Sequence, residues 1–287
     1  MKKFAIGLVV FLSAAAIFYF QWRYQVFNIF LPVSREEYER MHKEAVEKLR
    51  QDMLDGKTDI EIDYRGKSED VSDFAGFIMD EAFMTDSLDT SDDFDYLHYK
   101  FVSADIRMQG MGNKFTIKYK INYLETKEQT VQVNQRIQEV LEELDIKDKS
   151  DFKKIKLIHD FIISNSEYDL SSRYNSAYGC LIMNKSACQG YAQLAYKMFT
   201  EAGISCRIVT GKSGGSPHAW NIVRLDGKWY FIDCTWDDPV GTDIPKSAGY
   251  AYFLKGRKNF QDHILDAEFE TDEFKREYPL EYMDYGR

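Results

Sequence analysis

Two apolar runs that flank Asp226-Gly227 constrain the fold of this chain more than any other feature of the sequence. The runs are PHAWNIVRL before the dipeptide and KWYFIDCT after it, and both are rich in β-branched and aromatic residues. Asp-Gly is a favoured two-residue loop of β-hairpins, because both positions accept a positive φ. The sequence therefore predicts two antiparallel strands that turn at residues 226 and 227.

The length of this turn fixes which residues of the two strands face each other. A two-residue loop pairs Leu225 with Lys228, and the pairing then continues outward to Trp220 opposite Asp233. Side chains alternate between the faces of a sheet, so His218, Trp220 and Asp233 share one face. His218 and Asp233 are then diagonal neighbours, at a Cα separation of ~7–8 Å that an imidazole and a carboxylate can bridge. The turn chemistry thus predicts a His–Asp hydrogen bond.

A cysteine stands at the start of a predicted helix upstream of this hairpin. The segment SACQ, residues 186–189, leads into GYAQLAYKMF, a helical pattern that ends near Gly203. With Ser186 as the N-cap, Gln189 completes a capping box and Cys188 lies in the first turn. The positive end of the helix dipole favours a thiolate there, and the thiolate is the form that attacks carbonyl carbon. A small apolar residue buried for packing is the competing interpretation of Cys188.

Cys188, His218 and Asp233 together supply the groups of a thiol acyl-transfer site. In such a site His218 takes the thiol proton, Asp233 fixes the tautomer and orientation of the imidazole, and Cys188 attacks a carboxamide or peptide carbonyl. The backbone N–H of Cys188 points out of the helix start, so we expect it to donate to the oxyanion. Tyr178 and Gln189 are candidates for the second donor, and packing or capping is the alternative role of each.

The sequence around these residues resembles the bacterial transglutaminase-like superfamily, a compact relative of the papain fold. Four motifs carry the resemblance in order, YGCL, ACQGYA, HAWN and IDCTWDDP, and it covers about residues 126–255. By this resemblance Cys188 is similar to the nucleophile of the family, His218 to its base and Asp233 to its orienting acid. The order Cys, His, Asp matches the family, whereas the histidine of papain lies far downstream. Cys180 departs from the pattern, because a small residue such as alanine is usual there.

These observations predict an α+β fold in three parts. Residues 126–287 are expected to form a papain-like or transglutaminase-like core, in which the nucleophile helix packs on an antiparallel sheet. Residues 31–125 form a small α+β accessory region, with helices over 34–54 and 72–84 and a β-hairpin over 97–123, and the sequence assigns it no chemistry. Residues 1–30 are expected to hold a membrane helix.

An uncharged run near the N-terminus, Phe4–Trp22, follows two lysines. At ~1.5 Å per residue a helix of this length spans ~28 Å, close to the thickness of the hydrocarbon core. The lysines favour an N-terminus on the inside, so we expect a single-pass cell-membrane protein with an extracellular catalytic domain. A cleaved signal peptide, with small residues at Ser13–Ala16, is the alternative and gives a secreted protein.

The net charge of −10 bears on the partners of the protein. The chain has 37 Lys and Arg against 47 Asp and Glu, and an acidic chain lacks the cationic surface that nucleic acids need. The four cysteines show no Cys-x-x-Cys pair, so the sequence indicates neither a metal nor another cofactor. We therefore expect a protein or peptide substrate, with proteins of the cell envelope among the candidates, and no nucleic acid.

Other residues that can carry chemistry are given structural roles. His159 is expected to be a buried histidine with satisfied hydrogen bonds rather than a catalytic one. Asp237 and Asp238 are expected to form a turn rather than to bind calcium. A Cys180–Cys188 disulfide that switches the nucleophile off is a less favoured alternative to a free Cys188.

Two classes of function are compatible with the sequence. The leading one is an exported enzyme that acts on protein glutamine side chains or peptide bonds through a thioester on Cys188. Crosslinking, deamidation and proteolysis differ only in what resolves that thioester, and the sequence does not separate them. The alternative is a catalytically inactive binding or cell-envelope scaffold module displayed at the surface.

Overall fold

A computed structural model of the protein describes residues 33–86, 90–238 and 249–286. The predicted membrane segment at residues 1–30 lies outside this described part and stays a prediction. Within the described part, no helix is long and apolar enough to cross a membrane.

The described residues pack into two compact units. Unit 1 comprises the described residues up to Met53, together with Lys57–Ala82 and Ala104–Ile121. Unit 2 comprises Leu54–Gly56, Phe83–Ser103 and the described residues from Asn122 onward. The domain boundaries proposed from the sequence stay predictions.

Most of the predicted accessory region falls in unit 1. Its elements are α1 (Arg35–Leu54), β1 (Asp59–Arg65), α2 (Val71–Met84), β2 (Phe101–Met111) and β3 (Lys114–Tyr123), and the strands follow the order β1-β3-β2. Both predicted helices and the pairing of two strands in the predicted hairpin region are confirmed. The start of the hairpin is wrong, because residues 97–100 belong to a short helix, α3 (Asp95–Lys100).

The remaining elements of unit 2 are helices that pack around a four-stranded antiparallel sheet. The helices are α4 (Lys127–Glu143), α5 (Asp151–Asn165), α6 (Ala177–Leu181), α7 (Cys188–Glu201), α8 (Cys234–Asp237) and α9 (Asp272–Glu277). The sheet has the order β8 (Lys228–Ile232), β7 (Ser216–Leu225), β6 (Cys206–Ser213) and β9 (His263–Leu265). Two short strands, β4 (Glu167–Tyr168) and β5 (Lys185–Ser186), pair in parallel apart from that sheet.

Helix α7 is buried along nearly its whole length against the sheet of unit 2. Every residue of the range Gly190–Phe199 is buried, and its apolar side chains share one core with Ala219 and Val223 on β7. The opposite face of β7 contributes Trp220 and Ile222 to a second core. The predicted arrangement, a cysteine-bearing helix on an antiparallel sheet in an α+β fold, is confirmed.

The hairpin formed by β7 and β8 has the predicted turn and register. Asp226 and Gly227 take φ values of 51° and 79°, and the pairing runs from Leu225 opposite Lys228 to Asn221 opposite Ile232. The predicted pair of Trp220 and Asp233 beyond this point does not form.

The strand β8 ends early because the side chain of Asp233 caps the helix that follows. Its carboxylate accepts hydrogen bonds from the backbone N–H groups of Thr235 and Trp236, which open α8. Aspartate is a preferred N-cap, and this local bonding competes with the ladder of the sheet. Asp233 therefore leaves the strand while it keeps its place at the end of the hairpin.

Replacement of Gly227 by valine tests how much the turn at Asp226 and Gly227 contributes to the stability of unit 2. A Cβ at Gly227 meets no atom within 4 Å, so the cost comes from the positive φ alone. We expect the free energy of unfolding to fall by roughly 1–2 kcal/mol, the cost of the left-handed conformation for a residue with a Cβ. Urea unfolding followed by tryptophan fluorescence measures this loss. Asp226→Asn is the control, because asparagine accepts a positive φ, and equal midpoints for the two variants would contradict the prediction.

Candidate active site

Cys188 is the first residue of α7, and no side chain caps this helix. The N-cap is Ala187, so the predicted capping box of Ser186 and Gln189 is wrong. The reason is that Ser186 belongs to β5, opposite Tyr168 of β4, and its hydroxyl donates to the carbonyl of Tyr174. The first N–H groups of a helix have no partner within the helix. The positive end of α7 is therefore left uncapped by side chains beside the Cys188 sulfur.

His218 and Asp233 form the hydrogen bond that the hairpin predicts. Nε2 of His218 lies 2.7 Å from Oδ2 of Asp233. Both residues are buried, with 9% of His218 and 1% of Asp233 exposed. The bond forms although the outer pairs of the ladder are missing, because the turn that caps α8 holds the carboxylate next to β7.

The Cys188 side chain acts on the same imidazole. Burial alone would lower the pKa of His218, but interactions with Asp233 and Cys188 raise it to about 9. The imidazole is therefore protonated at neutral pH. The bond between His218 and Asp233 is present, while the assembly of these two residues with Cys188 into a catalytic triad stays a prediction.

Asp233 is the anionic centre of this cluster. Burial alone would raise its pKa, but hydrogen bonds and charges from His218 and His263 lower it. Its Oδ2 atom also lies 2.9 Å from Nε2 of His263, a residue that the sequence analysis missed. His263 is on β9, which pairs with β6 and not with the hairpin. The acidic neighbour Asp262 was the one local signal, and it is too common a feature to identify a site.

His218, Asp233 and His263 are also the one set of described His, Cys, Asp and Glu side chains that could hold a metal ion. Their Nε2 and Oδ2 atoms, however, are 2.7 and 2.9 Å apart, which are distances of hydrogen bonds. In each bond the histidine nitrogen carries a proton that is directed at the carboxylate. A metal ion would instead need the lone pair of that nitrogen. The arrangement is that of a hydrogen-bonded cluster.

The walls of the site are aromatic. Trp220 stacks on the His218 ring with centroids 5.7 Å apart, and Trp236 meets the same ring edge-on at 6.2 Å. Trp220 is buried, whereas 42% of Trp236 is exposed. The imidazole therefore packs against one buried ring and one partly exposed ring.

The two candidates for a second oxyanion donor are engaged elsewhere. The side-chain amide of Gln189 donates to the carbonyl of Tyr99. The backbone N–H of Tyr178 donates to the carboxylate of Glu125, and its ring packs against the core. The backbone N–H of Cys188 stays the expected oxyanion donor.

His159 has the structural role predicted for it. It is fully buried, with Nε2 at 3.0 Å from Asp237 and Nδ1 at 3.4 Å from Asp160. Burial alone would lower the pKa of His159, but hydrogen bonds to these two carboxylates raise it. The bond from His159 links α5 to α8 inside unit 2.

The prediction of a simple turn at Asp237 and Asp238 is wrong. Asp237 accepts from His159 and from the backbone N–H of Tyr252, and Asp238 accepts from the hydroxyl of Tyr191. Both carboxylates are buried and bond to residues far away in the sequence, so they anchor α8 in the core.

The four cysteines are free, so no Cys180–Cys188 disulfide is present. Cys180 is buried, and its sulfur lies 3.0 Å from the hydroxyl of Ser166. Burial raises the pKa of the Cys180 thiol to about 12. Cys188 is the one cysteine of the four that is not buried, and so it is the thiol open to a reactant.

This geometry can be compared with known proteins. The family model of the transglutaminase-like superfamily matches residues 138–234, which contain Cys188, His218 and Asp233. These residues form a transglutaminase-like superfamily domain. The matched stretch is about a third of the chain and includes the cysteine helix and the hairpin. The resemblance drawn from the four sequence motifs is confirmed at the level of the superfamily.

Two curated relatives of the transglutaminase-like domain are each named kyphoscoliosis peptidase. The human protein is 29% identical over 140 residues, which are 41% of this chain and 21% of that protein. The mouse protein is 30% identical over 157 residues, which are 47% of this chain and 23% of that protein. The chain thus spans about a fifth of the length of these relatives. Both are animal proteins, and the bacterial origin expected from the motifs stays a prediction.

Two solved structures match part of the chain. A crystal structure described as a TGase is 18% identical, with 52% of this chain and 48% of that chain covered and a TM-score of 0.36. A candidate cysteine protease from Cytophaga hutchinsonii is 17% identical, with 46% and 62% covered and a TM-score of 0.32. The family model alone carries the assignment of the transglutaminase-like domain.

Asp233→Asn tests whether this carboxylate keeps His218 protonated. Asparagine still offers an oxygen to the N–H groups of α8 but removes the negative charge, so the pKa of His218 should fall from about 9. Alkylation of Cys188 by iodoacetamide should change rate where His218 loses its proton, and this step should lie at lower pH in the variant. Peptide mass spectrometry assigns the modified cysteine.

Asp160→Asn is the matched control for this experiment. It removes a carboxylate from His159 rather than from His218, and the step in the alkylation profile should stay near pH 9. If the step in the alkylation profile stays at the same pH in Asp233→Asn, the role given to Asp233 is contradicted.

Proposed function

We propose that the transglutaminase-like domain is a thiol acyl-transfer enzyme that acts on protein glutamine side chains or peptide bonds. The observation that carries the proposal is the His218 imidazole, which Asp233 holds at 2.7 Å and whose pKa is raised to about 9 by interactions with Asp233 and Cys188. A cysteine at a helix start, with a protonated imidazole beside it, has what nucleophilic attack on a carbonyl requires. The name of the curated relatives, a peptidase, supports substrates of this class.

The first half of the proposed reaction forms a thioester. The Cys188 thiolate attacks the carbonyl carbon, and the oxyanion that develops is stabilised by the N–H of Cys188 at the start of α7. The C–N bond then breaks, and His218 gives its proton to the departing nitrogen. Ammonia leaves from a glutamine side chain, or an amine leaves from a peptide bond. Cys188 carries the acyl group, and His218 is neutral.

The second half of the reaction releases the acyl group from Cys188. Neutral His218 accepts a proton from a water molecule or a primary amine as that nucleophile attacks the thioester carbon. The C–S bond breaks, and the Cys188 thiolate and protonated His218 are regenerated. Water on a side-chain acyl group completes deamidation, water on a backbone acyl group completes proteolysis, and an amine completes a crosslink.

Incubation of the full chain with a glutamine-containing protein and a primary amine tests the proposal. Ammonia release with amine incorporation indicates a transglutaminase, ammonia release without it a deamidase, and chain cleavage a protease. Cys188→Ala should lower the rate by about 10³-fold or more, because the covalent route is lost. Cys206→Ala is the control, since Cys206 is buried in the core, and its rate should match that of the unmodified protein.

The outcome that contradicts the proposal is equally specific. If intact protein with a reduced Cys188 gives no turnover on side-chain amides or peptide bonds, the enzyme assignment fails. That result would favour the alternative, a binding or scaffold module that keeps the fold without the reaction.

A further inference from the structure

His263 lies between two carboxylates in the interior of unit 2. Nε2 is 2.9 Å from Oδ2 of Asp233, and Nδ1 is 2.9 Å from Oδ1 of Asp262. The His263 side chain is fully buried. Among the described histidines, His218 and His263 are the two that bond to the Asp233 carboxylate.

The chemistry of the bond to Asp233 fixes its direction. An ionised carboxylate only accepts hydrogen bonds, so Nε2 of His263 is the donor in that bond. Burial alone would raise the pKa of Asp262, but hydrogen bonds to Tyr252 and His263 lower it, and the pKa of Asp233 is lowered as well. Both carboxyls are therefore ionised at neutral pH.

The surroundings of His263 hold it in this position. The hydroxyl of Tyr252 donates to the second oxygen of Asp262 at 2.6 Å. Phe260 stacks on the His263 ring with centroids 4.1 Å apart, and Trp220 meets it edge-on at 5.0 Å. The titratable groups that face His263 are His218 from β7, Asp233 from the start of α8, the neighbouring Asp262, and Tyr252 from the preceding segment; Trp236 adds only an aromatic ring.

We propose that His263 is a positioning residue of the active site, a buried imidazole whose Nε2–H bond fixes the Asp233 carboxylate against His218. This role rests on the function proposed above for Cys188 and His218. The bonded side chains run from His218 through Asp233 and His263 to Asp262. His263 touches neither the sulfur nor the substrate in this account and acts through Asp233.

His263→Gln and His263→Ala separate positioning from simple packing. Glutamine keeps an N–H donor for Asp233, whereas alanine keeps none. On whichever reaction the protein catalyses, we expect kcat to fall by about 10- to 100-fold in His263→Ala with KM unchanged, and by less in His263→Gln.

His159→Gln is the matched control. His159 is also buried between two carboxylates, Asp160 and Asp237, but neither of them bonds to His218. This variant should lose stability and leave kcat unchanged. A purely structural His263 would behave in the same way as His159.

Nitrogen NMR of the unmodified protein gives a readout that depends on neither turnover nor a variant that folds. Nε2 of His263 should carry the proton that bonds to Asp233, and an unprotonated Nε2 would overturn the proposal. An unmodified protein that turns over neither side-chain amides nor peptide bonds would refute the proposed function, and the positioning role with it. Normal turnover together with an unchanged kcat in His263→Ala would overturn the role of His263 alone.

Discussion

The Asp233 carboxylate accepts four hydrogen bonds from three elements of unit 2. Its Oδ1 atom caps α8 through Thr235 and Trp236, and its Oδ2 atom binds the imidazoles of His218 on β7 and His263 on β9. A buried carboxylate loses the solvation that water would give it, a cost of several kcal/mol, so its bonds have to be made well. Fold and site are thus coupled, because the residue that ends the hairpin also orients the imidazole beside Cys188.

The same coupling explains how a charged group can stay functional in a dry interior. His218 is held as a cation by interactions with Asp233 and Cys188, while His263 bonds to the same Oδ2 atom of that carboxylate. Opposite charges at hydrogen-bond distance are favourable in an interior of low dielectric constant, whereas an unpaired one is costly. A helix start without a side-chain cap then leaves the dipole of α7 directed at the sulfur of Cys188.

The local parts of this design could be predicted from the sequence. The Asp-Gly turn fixes the register of the hairpin because its geometry and the period of two are local properties. The His218–Asp233 bond was predicted from this register, but in the structure the turn that caps α8 holds the carboxylate in place. The errors arose where tertiary contacts decide. The N-cap of α7 is Ala187 because a parallel pair of short strands takes up Ser186, and Asp233 leaves the ladder to cap α8. His263 reaches the site through the pairing of β9 with β6, which no short-range pattern in the sequence indicates.

The central claim is that the Asp233 carboxylate keeps His218 protonated in the site. Nitrogen NMR of the His218 ring as a function of pH tests it most directly. The account predicts a ring that carries a proton on both nitrogens at pH 7 and loses one of them near pH 9. A His218 ring that is already neutral at pH 7 would contradict it.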